Sequence, residues 1–222
     1  MIREKLGVYF IMGSRNAGSR NPLEVLEAAL RGGITCFQLR EKGPGALAGN
    51  ELHAFGEACR DLCRAHGVPF IVNDDVRLAL ELGADGVHIG QEDGDPGEVR
   101  RLIGDRILGV SAHNLDEVRE AVAADADYIG IGPVYQTTSK PDARPVCGTL
   151  PLREAAAAFP ELPSVGIGGI TADNARPVIA AGASGVSVIT AISLADDPER
   201  AAREIRLAVS GALRLPEGGA AR

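Results

Sequence analysis

The strongest constraint on this chain is a repeated alternation. Short apolar runs fall at Val8–Met12, Cys36–Leu39, 70–72, Gly86–Ile89, 107–110, Tyr128–Ile131, 164–167 and 185–189. Between them lie amphipathic stretches of helical period: LEVLEAALRGG, ELHAFGEACRDLCRAHG, VRLALELGA, EVRRLIGD, LDEVREAVAADA, LREAAAAFP and NARPVIAAGA, with PERAAREIRLAV closing the series. Several of them stop at a glycine and pass through a small residue into the next run (RGGI, LGADGV, AGASGV), which suits a left-handed helix stop feeding a strand. Strict alternation demands parallel strands joined by right-handed crossovers. Eight such units in 222 residues fit a closed (β/α)8 TIM barrel, an α/β fold in one domain, better than an open sheet. The barrel is expected over residues 1–211, with 212–222 as a flexible C-terminal tail.

Composition narrows the function. The chain is 45% hydrophobic, enough for a sizeable core, and no apolar run approaches the length of a membrane span. The charged start MIREKLGVYF lacks a secretion signal, so a soluble cytoplasmic protein with no membrane partner is expected. A net charge of -7 without a basic run argues against a nucleic-acid partner. Cys36, Cys59, Cys63 and Cys147 form no CxxC pair and read as reduced, mostly buried thiols. The histidines show no paired ligand spacing: His53 and His66 read as surface helix residues, and His88 as a buried, hydrogen-bonded imidazole inside a strand.

In a barrel of this kind the site lies at the C-terminal ends of the strands, so polar residues just past each apolar run become candidates. FIVNDD and GVHIGQED follow this pattern, placing Asp74 and Asp93 at adjacent strand ends. Neighbouring strands run roughly 4.8 Å apart, so the two carboxylates can converge, and Mg²⁺ is commonly held by such a pair together with substrate phosphate oxygens. The competing reading is helix capping, by Asp74 or Asp75 for VRLALEL and by Asp93 or Asp95 for the helix after Pro96.

QLREK ends the second strand with two cations, suited to gripping a phosphate or simply to a charged surface. GVSAHN puts Ser111 on the rim as a hydroxyl donor, with His113 and Asn114 opening the next helix. GPVYQTTSKPDARPVCG, which carries Lys140, is the longest connection without helical or strand character. GIGGI and VSVIT end the seventh and eighth strands, the usual phosphate corner of this fold, although glycine-rich turns also serve packing. No Ser/His/Asp pattern and no dinucleotide fingerprint is present. The rim therefore suggests a diphosphate and a metal at strands two to five and a second phosphate at strands seven and eight.

QLREK, VNDD, GADGVHIGQED, GVSAHN, IGPVYQTTSK, VGIGGI and VSVIT, in this order and spacing, closely resemble the thiamine-phosphate synthase (thiamine-phosphate pyrophosphorylase) family, and the resemblance runs to about Gly211. It implies a transferase of thiamine biosynthesis that joins 4-amino-2-methyl-5-(diphosphooxymethyl)pyrimidine to a thiazole phosphate, plain or carboxylated. Thiamine phosphate and pyrophosphate would be the products, and Mg²⁺ the cofactor. Position by position, it implies that Gln38, Leu39, Arg40, Glu41, Lys42, Asn73, Ser111 and Lys140 bind the pyrimidine diphosphate and that Asp74 and Asp93 ligate Mg²⁺. Thr137, Thr138, Ser139, Gly169, Ile189 and Thr190 would hold the thiazole phosphate. Arg40, Lys42, Ser111 and Lys140 would carry the catalysis.

Two departures stand out: Gln136 replaces a usual proline, and the first strand ends in MGS where an acidic residue is more usual. A thiazole tautomerase paralogue is the nearest rival, disfavoured by the retained Asn73, Asp74 and Asp93. A non-catalytic regulator binding phosphate ligands is the rival from another class, with little need for both the cations and the carboxylates. A homo-oligomer is compatible with the sequence.

Overall fold

The computed structural model describes residues 2–137, 139 and 144–213. Eight parallel strands close into a barrel in sequence order: β1 Val8–Met12, β2 Cys36–Leu39, β3 Phe70–Asn73, β4 Gly86–Ile89, β5 Ile107–Ala112, β6 Tyr128–Ile131, β7 Ser164–Gly166 and β8 Gly185–Val188. The expected (β/α)8 architecture is therefore observed, and the circle closes where Tyr9 of β1 pairs with Ser187 of β8. The helices are α1 Pro22–Gly32, α2 Gly49–Ala65, α3 Val76–Glu81, α4 Pro96–Ile103, α5 Leu115–Ala123, α6 Leu150–Ala158, α7 Ala175–Ala180, α8 Thr190–Ser193 and α9 Pro198–Leu213. None of the described helices is long and apolar enough to cross a membrane.

Two details depart from the sequence reading. The run 185–189 does not stay extended to its end. It turns at Ile189 into the short helix α8, which separates β8 from the closing helix α9. Helix α9 also runs to Leu213, past the expected barrel boundary at Gly211; the remainder of the expected tail, from residue 214, lies outside the described residues.

Alternation along each strand sorts the side chains into two layers. Val8, Phe10 and Met12 of β1 pack outward with Phe37, Phe70, Val87, Val110 and Ile129 beneath the helices. Tyr9 and Ile11 turn inward to meet Cys36, Ile71, Tyr128 and Val165 in the barrel lumen. The floor of the lumen is sealed by the first turn, Ile2–Lys5, whose Arg3 donates to Ser184 Oγ at 3.1 Å and to the Pro160 carbonyl at 2.6 Å.

A recurring contact closes this N-terminal end. Thr35 Oγ1 accepts from the Val8 N–H at 2.8 Å, Asp85 Oδ2 from Phe70 at 2.8 Å, and Asp127 Oδ2 from Leu108 at 2.7 Å. In each case the residue before an even-numbered strand satisfies the backbone of the odd-numbered strand preceding it. Asp127 Oδ2 also receives Arg100 Nη2 at 2.6 Å, tying α4 to the same point.

Removing that acceptor leaves a backbone donor and a guanidinium short of a partner, so Asp127→Ala should destabilise the fold by about 2 kcal/mol. Urea unfolding checks it. Ligand binding at the opposite end of the barrel should be unchanged.

Candidate active site

A cleft of about 580 Å³ opens at the C-terminal ends of the strands, within the range of small-molecule sites. Its acidic wall comes from β3 and β4, where sequence alone left capping and ligation open. The structure divides these roles. Asp75 Oδ1 accepts from the Leu78 N–H at 2.8 Å and caps α3, while Asp95 Oδ1 accepts from Glu98 at 2.7 Å and caps α4. Asp74 and Asp93 do not cap helices, and both line the cleft. Asp74 adopts a left-handed backbone with φ 62°, uncommon for a residue with a side chain and costing on the order of 1 kcal/mol. Its N–H donates to the His88 carbonyl at 2.8 Å, and the Asn73 amide donates to its Oδ2. Asp93 Oδ2 accepts from the Gly90 N–H at 3.1 Å.

Lys42 stands between the two carboxylates. Its Nζ pairs with Asp74 and lies 3.5 Å from Asp93 Oδ1. Burial pushes the Asp74 carboxyl above its ordinary value; Lys42 pulls it back and the Asp93 charge adds to the rise. Partial burial works against the Lys42 ammonium, but Asp74 and then Asp93 hold it above the usual lysine range. Two acids that share one cation in this way can also share a metal ion. Among the described residues no group of three or more His, Cys, Asp or Glu could hold one, so the remaining positions would fall to ligand oxygens and water.

Gln38, Arg40 and Lys42 from the end of β2, and Asn73 and Ser111 from β3 and β5, line the same cleft. Two members of the QLREK run do not. Leu39 is 2% exposed and belongs to the outer apolar layer. Glu41 serves the scaffold: its carboxylate accepts from Ser14 N at 2.6 Å, Ser14 Oγ at 2.6 Å and Leu47 N at 2.9 Å. The serine of the unusual MGS segment is thus what ties the first loop to the second.

On the far wall, Thr137, Ser139, Gly169, Ile189 and Thr190 line the cleft together. Ser139 Oγ lies 3.4 Å from Thr190 Oγ1, and Asn174 Nδ2 donates to the Gly169 carbonyl at 3.0 Å. Gly169 is required first by packing. With φ 66°, a Cβ there would sit 2.4 Å from the Gln136 carbonyl, so a larger residue would displace the loop after β6 before it reached a ligand. Thr138 and Lys140 lie outside the described residues.

The structure adds cleft-lining residues that the sequence reading did not place in the site; His88 is also the buried, hydrogen-bonded imidazole expected there. Tyr9 and His88 line the floor of the cleft, Gln91 Nε2 donates to the Ser111 carbonyl at 2.6 Å, and His113 and Arg144 stand at the rim. Both rim groups rest on Glu117, His113 Nδ1 at 2.8 Å and Arg144 Nη1 at 3.4 Å. The sequence placed His113 and Asn114 at the start of this helix; the anchoring of Arg144 on Glu117 spans two loops and was not legible there.

Fold and cleft together define a (β/α)8 barrel whose polar groups gather at the rim where barrel enzymes act. The chain belongs to the thiamine monophosphate synthase family, whose model matches residues 8–192. It is 57% identical to the thiamine-phosphate synthase of Bacillus velezensis over 215 residues, covering 95% of this chain and 96% of the relative. It is 56% identical to the same enzyme of Geobacillus kaustophilus, covering 95% of each chain. A solved thiamine phosphate pyrophosphorylase from Pyrococcus furiosus superposes with a TM-score of 0.86 at 36% identity, over 96% of this chain and 100% of that one.

Because three donors converge on one carboxylate, Glu41→Ala should cost ~3 kcal/mol in urea unfolding. Glu41→Gln, which keeps one acceptor, should cost less.

Proposed function

We propose that this protein is a thiamine-phosphate synthase. It joins 4-amino-2-methyl-5-(diphosphooxymethyl)pyrimidine to the phosphate of 4-methyl-5-(2-hydroxyethyl)thiazole, or to its carboxylated form, and releases pyrophosphate. The observation that carries the reading is the convergence of Asp74, Asp93 and Lys42 in one cleft with Arg40, opposite a wall of hydroxyls and glycine. A tautomerase or a passive binder has little use for a site built to accept a departing diphosphate.

In this reading Gln38, Asn73 and Ser111 orient the pyrimidine diphosphate, and Arg40 and Lys42 neutralise its phosphates. Asp74 and Asp93 would hold Mg²⁺, which supplies positive charge to the leaving group. The C–O bond to the diphosphate breaks, the aminopyrimidine ring delocalises the positive charge left on carbon, and the thiazole nitrogen donates its electron pair to form the new C–N bond. Thr137, Ser139, Gly169, Ile189 and Thr190 would seat the thiazole phosphate beside short helix α8, at the corner where barrels of this kind commonly bind phosphate. With both carboxylates engaged on the ion, the Lys42 ammonium would be available to neutralise the diphosphate. Catalysis is mainly positioning and leaving-group electrostatics.

Mixing the protein with both phosphorylated precursors and Mg²⁺ should yield thiamine phosphate and pyrophosphate; no coupled product would refute the reading. Chelation of Mg²⁺ should abolish turnover. Asp74→Ala and Asp93→Ala should each lower the coupling rate on the order of 10²-fold at limiting Mg²⁺ while the barrel stays folded.

A further inference from the structure

Five side chains from five strands meet across the upper lumen of the barrel. Gln38 Nε2 lies 2.7 Å from Tyr9 Oη, Tyr9 Oη 2.7 Å from Tyr128 Oη, Tyr128 Oη 2.9 Å from His88 Nδ1, and His88 Nε2 2.9 Å from Ser111 Oγ. All five are buried, and the two tyrosines are at most 1% exposed. Space for the contact is made by β5. A Cβ at Gly109 would stand 2.3 Å from Tyr128 Oη and 2.5 Å from His88 Nδ1.

The chemistry of these groups gives the chain a direction. An amide nitrogen only donates, so Tyr9 Oη accepts from Gln38 and has one proton of its own to give. That proton goes to Tyr128, whose proton goes in turn to His88 Nδ1. The ring then carries its proton on Nε2 and donates it to Ser111 Oγ. The reverse order would require the Gln38 amide to turn its Oε1 toward Tyr9, or Tyr9 to direct its proton to the neighbouring Cys36 thiol, a much weaker acceptor than a phenol oxygen. Burial, first of all, lifts both phenols well above their ordinary values, so both remain protonated donors.

We propose that Tyr9, Tyr128 and His88 form a one-way hydrogen-bond chain that leaves the Ser111 hydroxyl proton free to point into the cleft, making Ser111 a fixed donor to an acceptor atom of the bound pyrimidine diphosphate. Tyr9, Tyr128 and His88 are positioning residues in this scheme, and Ser111 is the group that meets the substrate. The identity of that substrate rests on the synthase reading; the proton order in the unliganded protein does not.

The test is the ¹⁵N spectrum of the His88 ring in the ligand-free protein, assigned by comparison with His88→Gln. A neutral ring protonated on Nε2 is expected. A ring protonated on Nδ1, or on both nitrogens, overturns the proposal, and the tautomer is read on the unaltered protein. In Tyr128→Phe the Nδ1 acceptor loses its donor, so the ring should shift toward a mixture of tautomers. Single-turnover coupling should fall by about tenfold, equivalent to roughly 1.4 kcal/mol of transition-state stabilisation, with little change in substrate affinity. A parent-like tautomer together with a parent-like rate in that variant also overturns it. If the parent couples no substrates, the synthase reading fails while the ring spectrum still decides the direction of the chain.

Discussion

A strand in a closed parallel barrel can send each side chain only inward or outward, and the lumen that receives the inward set holds no bulk water. Every polar group placed there must find its partner within the ring. Here the inward positions begin apolar at the floor, with Leu6, Cys36 and Ile71, and become polar toward the rim through Gln38, His88 and Ser111. Leaving any one of these buried groups unpaired costs about 1–3 kcal/mol. Pairing them into one continuous network instead makes the cleft floor rigid before a ligand arrives.

The alternation of short apolar runs and helical periods carried most of the fold in the sequence, because each barrel unit is local: strand, crossover and helix are written in about 25 consecutive residues. Residues at strand ends were also legible, since topology alone places Asp74, Asp93 and Ser111 on one rim. The partners of these residues were not. Strands buried on both faces read as continuous apolar runs, so nothing distinguishes inward Tyr9 from outward Phe10. The contact between Tyr9 and Tyr128 joins residues 119 positions apart and exists only when β1 and β6 face each other across the lumen. Glu41 illustrates the opposite failure. Within QLREK it looks equivalent to its charged neighbours, yet its carboxylate turns away from the cleft to join the Ser14 loop to Leu47.

The acidic balance of the chain does not extend to the whole cleft. A net charge of -7 is felt weakly at long range, where salt screens it, whereas Arg40 and Lys42 place positive charge in the cleft lining itself. The same proximity explains why Lys42 rests on Asp74 and Asp93. Two converging carboxylates repel, and the Lys42 ammonium, carried on a flexible stem, relieves them.

Asp74 shows how the backbone makes this convergence possible. Consecutive acids at the end of β3 would ordinarily compete for one task, capping the next helix. The left-handed turn at Asp74 breaks that equivalence: it points one carboxylate into the cleft and sets the next, Asp75, over the exposed N–H groups of α3. The strain of about 1 kcal/mol is offset by the Asp74 N–H bond to His88 on β4 and by the cap itself. Because His88 also links Tyr128 to Ser111, the strand that fixes the acid is the strand that fixes the hydroxyl donor. The Asp74 side and the Ser111 side of the cleft are therefore held by one residue of β4, through its carbonyl on one side and its imidazole on the other.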